Sequence, residues 1–266
     1  MENDAVLVDI HCHLLPDFDD GAQSWQEATQ MARLAAADGI GTVIATPHQL
    51  GVYAHNSGAQ IRERTRELQA WLKQLDIPLR VVPGAHVRCE EGLLAGIQSG
   101  DVLTLADRGK HVLLELPPAP FPLLDEILAE FQPAGLTAIL AHPERHGVLQ
   151  RNRQRVAELV ERGCLMQITA DSLVGTFGYR AQEMAEWMLT EHHAHFIASD
   201  AHGPRSRRPL LRQAQLRVAA LTDPETAESL CVRQPAAVVA GEDVPAVGYR
   251  RRVATWGNWF RWRRAA

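Results

Sequence analysis

Val6-Leu7-Val8-Asp9-Ile10-His11-Cys12-His13 reads as a buried strand that ends in two imidazoles. Side chains two residues apart on a strand point the same way, so His11 and His13 can reach one ion while Cys12 faces the other side as a small core residue. The plainer reading of such a pair is two packed or surface histidines. The next residues, Leu14-Leu15-Pro16-Asp17-Phe18-Asp19-Asp20-Gly21, form an acidic loop that also reads as a solvated turn with a helix cap.

Short β-rich apolar runs like the first recur at 42–46, 79–83, 111–116, 137–141, 165–169 and 195–199. Helical patterns lie between most of them. Ser24-Trp25-Gln26-Glu27 has the form of a capping box and opens an amphipathic run ending near Gly39. Residues 61–75 and 151–162 have helical spacing with charged outer faces. Repeated strand–helix alternation predicts a parallel sheet, open or closed. The polar residues decide between the two. His11 and His13, His48, His86, Glu115, His142, Asp200 and His202 fall at or just past the C-terminal ends of the runs. A barrel gathers all such ends on one face, whereas an open sheet gathers only those at its switch point. The expectation is a single α/β domain with a barrel-like sheet.

Composition narrows the function. A content of 46% hydrophobic and 22% charged residues supplies a full core and excludes wholesale disorder. A formal charge of −5 argues against a nucleic-acid partner. The four cysteines, Cys12, Cys89, Cys164 and Cys231, form no CxxC pair and start no C-x5-R signature. That disfavours a zinc knuckle, a disulfide framework and a cysteine-nucleophile phosphatase. No signal-peptide pattern or long apolar span appears, which predicts a cytoplasmic chain.

Taken one at a time, His48 in Thr46-Pro47-His48, His142 in Ala141-His142-Pro143-Glu144-Arg145 and Asp200 with His202 each have a structural alternative. Glu115 is more telling, because a carboxylate in the apolar run Leu113-Leu114-Glu115-Leu116 needs a partner when buried. Six strand ends that each carry a His or a carboxylate are hard to obtain by chance, and they point to metal binding. Nitrogen and oxygen donors without cysteine suit Zn, Mn or Fe. Arg145 and Arg207, close in sequence to His142 and His202, suit a bidentate grip on phosphate, although surface arginines are common here.

In order, DIHCHLLPDFDDGAQSW, IATPHQLGVY, VPGAHVR, VLLELP, ILAHPERH, QITADSLVGTFG and FIASDAHG resemble the polymerase and histidinol phosphatase (PHP) superfamily. They are most similar to its CpsB/CapC/YwqE group of bacterial metal-dependent protein-tyrosine phosphatases. The resemblance runs from about Val6 to Arg208. It implies a distorted TIM-like (β/α)7 barrel of the PHP type over residues 1–245, followed by a basic-aromatic tail at 246–266. It also implies three divalent ions, manganese first, with iron or zinc as alternatives. One ion would be held by His11, His13 and Asp200 with a shared ligand at position 86. A second would take that shared ligand with Glu115 and His142, and a third Asp20, His48 and His202. Arg145 and Arg207 match the phosphate-binding arginines. The implied reaction is attack of a metal-bound water on phosphotyrosine of a tyrosine autokinase controlling capsule or exopolysaccharide export, with Asp200 and His202 as candidates for proton transfer.

Where the group has PGxE, this chain has Pro83-Gly84-Ala85-His86. An imidazole offers one nitrogen to one ion, so His86 is expected as a terminal ligand, with a hydroxide alone bridging or one ion held weakly. Glu90 or Glu91 is an alternative that spacing does not favour. Two other functions stay open: a histidinol-phosphatase-like small-molecule phosphoesterase, and a non-catalytic regulator. The loop at Gly51-Val52-Tyr53 is closer to the tyrosine-phosphatase group. The tail from Tyr249 carries six arginines among aromatics and no acid. It predicts peripheral contact with the inner membrane face, with a free terminus or packing on another subunit as alternatives. Self-association is left open.

Overall fold

The structure, a computed structural model, describes residues 6–117 and 122–244. The tail expectation therefore lies outside the described residues. The described strands are β1 (Leu7–Cys12), β2 (Ile40–Ala45), β3 (His48–Gln49), β4 (Arg80–Pro83), β5 (His86–Arg88), β6 (His111–Glu115), β7 (Thr137–Ala141), β8 (Leu165–Thr169) and β9 (Phe196–Ala198). The helices are α1 (Trp25–Ala37), α2 (Gly58–Gln74), α3 (Leu93–Ser99), α4 (Pro122–Phe131), α5 (Gly147–Arg151) and α6 (Arg153–Glu161). They continue with α7 (Ala170–Leu173), α8 (Tyr179–Thr190), α9 (Arg212–Leu221), α10 (Pro224–Glu228) and α11 (Gln234–Ala240).

Every ladder between these strands is parallel. β1-β2-β4 form one sheet and β3-β5-β6-β7-β8-β9 the other. A parallel bridge pairs Cys12 with Ala201, and His13 N donates to Ala201 O at 2.8 Å, so the end of β1 also meets the segment after β9. Two of the expected runs, 42–46 and 79–83, are each followed by a short second strand that the apolar runs do not predict. The β2 run stops before Pro47, which has no N–H to give to a ladder, and resumes as β3. The β4 run stops at Pro83-Gly84 and resumes as β5. The resumed pair sets His48 directly opposite His86.

The strand residues alternate between two buried layers. Val112, Leu114, Ala138, Leu140, Met166, Ile168 and Ile197 join the larger cluster, which includes Met31 of α1, Leu68 of α2 and Val156 of α6. Val8, Ile10, Ile44, Leu113, Ile139 and Phe196 face the opposite way and pack with Leu105, Val238 and Val239. Burial on both faces explains why these strands read as near-continuous apolar runs. Cys12 is fully buried in the larger cluster, as its position opposite the histidines predicts.

Helix starts follow their caps. Ser24 Oγ accepts from Glu27 N at 3.2 Å, but the Glu27 carboxylate returns to Gln23 N, so the expected box is only half formed. A complete box, Ser57 with Gln60, starts α2 three residues before the expected point. The helix expected over 151–162 is split, because Asn152 leaves the helix and caps α6 by accepting from Arg155 N. Among the described residues no helix is long and apolar enough to cross a membrane.

Candidate metal centre

The end of β1 carries His11 and His13, both fully buried. Gln167 Oε1, on β8, lies 2.8 Å from His11 Nδ1, and Asp19 Oδ2 lies 2.6 Å from His13 Nδ1. The Asp200 carbonyl lies 2.9 Å from His202 Nδ1. Each partner is an acceptor, which places the ring proton on Nδ1 and leaves the Nε2 lone pair free. The Nε2 atoms of His11 and His13 are 3.2 Å apart, and that of His11 is 3.2 Å from Asp200 Oδ1. Imidazoles held from behind with free nitrogens converging are the arrangement in which histidines bind a cation.

The second half of the centre comes from the resumed strands. His48 Nε2 is 3.6 Å from Asp20 Oδ1 and its Nδ1 is 3.6 Å from Glu115 Oε2. The ring of His86 lies 4.4 Å from that of His11, 4.8 Å from His48 and 5.2 Å from His142. Among the described residues, three groups have ligand atoms within 4.8 Å of one another: His13, Asp20, His48 and His202; His11, His13 and His86; and His48, His86 and Glu115. The expected residues are thus gathered, but the grouping differs from the one the resemblance implies. His13 sits with Asp20 and His202, and His48 is shared with Glu115. His142 and Asp200 fall outside these groups. His142 adjoins the centre through its ring contact with His86, and Asp200 through His11.

The fit to a metal rests on His86. Both of its ring nitrogens are buried with no hydrogen-bond partner in the protein. An unpaired buried polar group costs about 1–3 kcal/mol, so two on one ring need a ligand to satisfy them. Charge agrees. Burial opposes a positive charge on His13, yet the Asp19 carboxylate overcomes it and raises the ring to about 10. Burial, with His13 nearby, holds His48 at about 4, and burial holds His142 at about 3. Burial and the surrounding imidazoles push His86 well down. The centre therefore favours one positive charge between Asp19 and Asp200. Without an ion that charge is a second proton on His13, at Nε2, which an ion would displace to leave neutral imidazoles of the form that ligates metals.

Arg145 and Arg207 both donate to Asp200 Oδ2, each at 2.5 Å. Burial works against the Asp200 charge, but His11, His13, His142 and Arg207 hold its carboxyl well below the usual range. His142, Asp200 and Arg207 all have positive φ, at 38°, 51° and 47°. Such conformations are disfavoured for residues with a Cβ and cluster where side chains must be aimed. Phe177 lies under the Arg145 guanidinium, 4.0 Å from ring centroid to Cζ, and Tyr53 stacks on His48 at 5.2 Å.

Several contributors are not singled out by their sequence. Asp19 sits in the acidic loop that reads equally as a solvated turn, yet its carboxylate is buried and also accepts from His48 N and Gly21 N. Gln167 and Asp9 are polar residues inside apolar strands, which is the available signal. Asp9 accepts from His11 N, Ser199 N and Ser199 Oγ, so it ties β1 to β9. Glu144 is fully buried, accepts from Thr169 N and Ser172 Oγ, and anchors the turn that carries His142 and Arg145.

The profile of the family described as capsular polysaccharide synthesis, CpsB/CapC, matches residues 7–240. The tyrosine-protein phosphatase YwqE of Bacillus subtilis is 36% identical over 202 residues, covering 76% of this chain and 79% of YwqE. The putative tyrosine-protein phosphatase CapC of Staphylococcus aureus is 33% identical over 210 residues, covering 78% of this chain and 81% of CapC. A crystal structure from the pair YwqE of Bacillus subtilis and CpsB of Streptococcus pneumoniae, described as metal-dependent tyrosine phosphatases, aligns with a TM-score of 0.84. The two share 32% identity, over 90% of this chain and 96% of the other.

Proposed function

The chain belongs to the CpsB/CapC family, and from that premise we propose that it is a metal-dependent protein-tyrosine phosphatase. The observation that carries this reading is the meeting of two arginines on one carboxylate oxygen beside the converging imidazoles. His11, His13, Asp20, His48, His86, Glu115, His142, Asp200 and His202 would hold the ions. Three ions, manganese first, are the reading we adopt, with His86 as a one-nitrogen ligand. When bound, such ions supply positive charge that polarises a phosphoryl group and makes a water acidic enough to lose a proton near neutral pH.

The protein's own groups do the rest. Arg145 and Arg207 grip and orient phosphoryl oxygens, which compete with Asp200 Oδ2 for the same two guanidinium groups. Phe177 holds Arg145 flat, and with Tyr53 it offers an aromatic face to the phenyl ring of phosphotyrosine. A tyrosine phenolate has an ordinary pKa near 10, so it gains from a proton as it leaves. We assign that transfer to Asp200, whose Oδ2 faces the two arginines while its Oδ1 faces the imidazoles, with His202 as the alternative. In this reading the two sheets close as a distorted (β/α)7 barrel over residues 1–245. The substrate is a tyrosine autokinase of capsule or exopolysaccharide export.

A side-by-side assay on a phosphotyrosyl peptide and histidinol phosphate tests the proposal. It predicts preferential hydrolysis of the peptide. Preference for histidinol phosphate would move the reading to a small-molecule phosphoesterase. No hydrolysis of either with any divalent metal would favour a non-catalytic regulator.

A further inference from the structure

Outside the metal centre, a cavity of about 230 Å³ is lined by Gln150, Arg151, Arg153, Arg180, Glu183 and Met184. Three arginines face it against one glutamate. Arg153 is partly neutralised, because it donates to Glu183 at 2.9 Å and lies over the Trp187 ring. Among the described residues, Arg151 and Arg180 have no ion pair with a carboxylate. The cavity thus carries two uncompensated cations.

Their positions run against local preference. Arg153 and Arg180 lie in the first turns of α6 and α8, and neither first turn holds an acid. The exposed N–H groups and dipole of a helix N-terminus favour anions and disfavour cations there. Two helix starts that both present arginine to one cavity are therefore poor for the helices and good for an anion.

The cavity also adjoins the centre. Gln150 on its wall donates to the Glu144 carbonyl at 2.8 Å, one residue before Arg145. Arg180 follows Phe177, which lies against Arg145, by three residues. Three residues of extended chain span at most about 11 Å. A peptide whose phosphotyrosine lies at Arg145 therefore has side chains about three positions away within reach of the cavity.

We propose that this cavity is a docking subsite for a carboxylate side chain of the substrate protein, held by Arg151, Arg153 and Arg180. The enzyme would then select phosphotyrosines flanked by Asp or Glu. The inference rests on the phosphatase reading above and adds a sequence preference to it.

The test uses two phosphotyrosyl peptides, one with Asp and Glu and one with Ser and Ala flanking the target, together with para-nitrophenyl phosphate. The expected result for the full chain is a KM about two- to fivefold lower for the acidic peptide, the range for ion pairs at an exposed site. The preference should shrink at high ionic strength. The double variant Arg151→Ala/Arg180→Ala should lose it while keeping kcat on all substrates and KM on the neutral peptide and para-nitrophenyl phosphate. Arg180→Glu, which sets one acid against the remaining uncompensated Arg151, should abolish the preference, and Arg151→Glu/Arg180→Glu should favour a lysine-flanked peptide instead. Equal KM values for the two peptides with the unaltered chain would overturn the subsite, as would a loss in the double variant shared by all three substrates. If no substrate is hydrolysed, the phosphatase reading fails. Anisotropy binding of the same labelled peptides to the same variants then decides the subsite separately.

Discussion

Replacing Asp19 by Asn tests whether the centre depends on how its histidines are held. The carboxylate is buried and fully used. Oδ2 faces His13 Nδ1 at 2.6 Å and accepts from His48 N at 2.8 Å, while Oδ1 accepts from Gly21 N at 2.9 Å. Asparagine keeps the volume but has one acceptor oxygen and one donor. With its NH2 toward His13, the ring must accept at Nδ1 and carry its proton on Nε2, the nitrogen that faces the other ligands. With its NH2 toward Gly21, two donors meet and a buried N–H goes unpaired, at a cost of about 1–3 kcal/mol. The negative charge that favours a cation at His13 is lost in both orientations. Removing a group that holds a metal-binding histidine costs roughly 10- to 100-fold in affinity or activity. The expected outcome is that loss in apparent metal affinity and in kcat/KM, read by titrating the chelated protein with Mn, Fe or Zn salts. Asp17→Asn, an exposed position in the same loop, should change neither. Unaltered metal affinity and kcat/KM in Asp19→Asn would refute the reasoning.

Three further outcomes are expected. Burial, aided by His193, holds His195 at about 4, and its Nδ1 accepts from Met166 N. The unfolded chain takes up this proton near pH 6.5 and the folded chain only near 4. Stability is therefore undiminished above pH 6.5 and falls by roughly 3 kcal/mol as pH drops from 6.5 to 4. Urea melts of the wild type and His195→Asn, which keeps an acceptor, should show a shallower pH dependence in the variant; parallel curves would count against the reading. A Cβ added at Gly21 would lie 2.2 Å from His13 O and 2.5 Å from His13 Cβ. Gly21→Ala should thus lower stability by roughly 1–3 kcal/mol and weaken metal binding together, as seen by thermal unfolding with and without metal. Arg145→Lys loses the planar fork and the stacking on Phe177, so kcat/KM on phosphotyrosyl peptide should fall roughly tenfold or more, a loss that steady-state kinetics would reveal.

Much of this arrangement is legible before the structure is seen, for a physical reason. The core strands are buried on both faces and so write themselves as apolar runs. Residues such as His142 and Asp200 stand where those runs end. What is not legible depends on distant partners. Gln167 lies 156 positions from His11, and no spacing rule connects them. Asp19 looks like a turn residue until His13 and His48 close over it. β3 and β5 are too short to register as runs, because Pro47 and Gly84 interrupt them, yet their pairing is what brings His48 beside His86. The break at Asn152 is similarly local: a single cap divides what periodicity reads as one helix.

The most direct test of the central claim is phosphotyrosyl-peptide hydrolysis measured against bound metal per chain, from exhaustively chelated protein through stepwise reloading. The account predicts an inert chelated protein whose activity returns in proportion to bound divalent ion. It also predicts that His86→Ala, measured in the same way, binds less metal. Full activity after exhaustive chelation would contradict it.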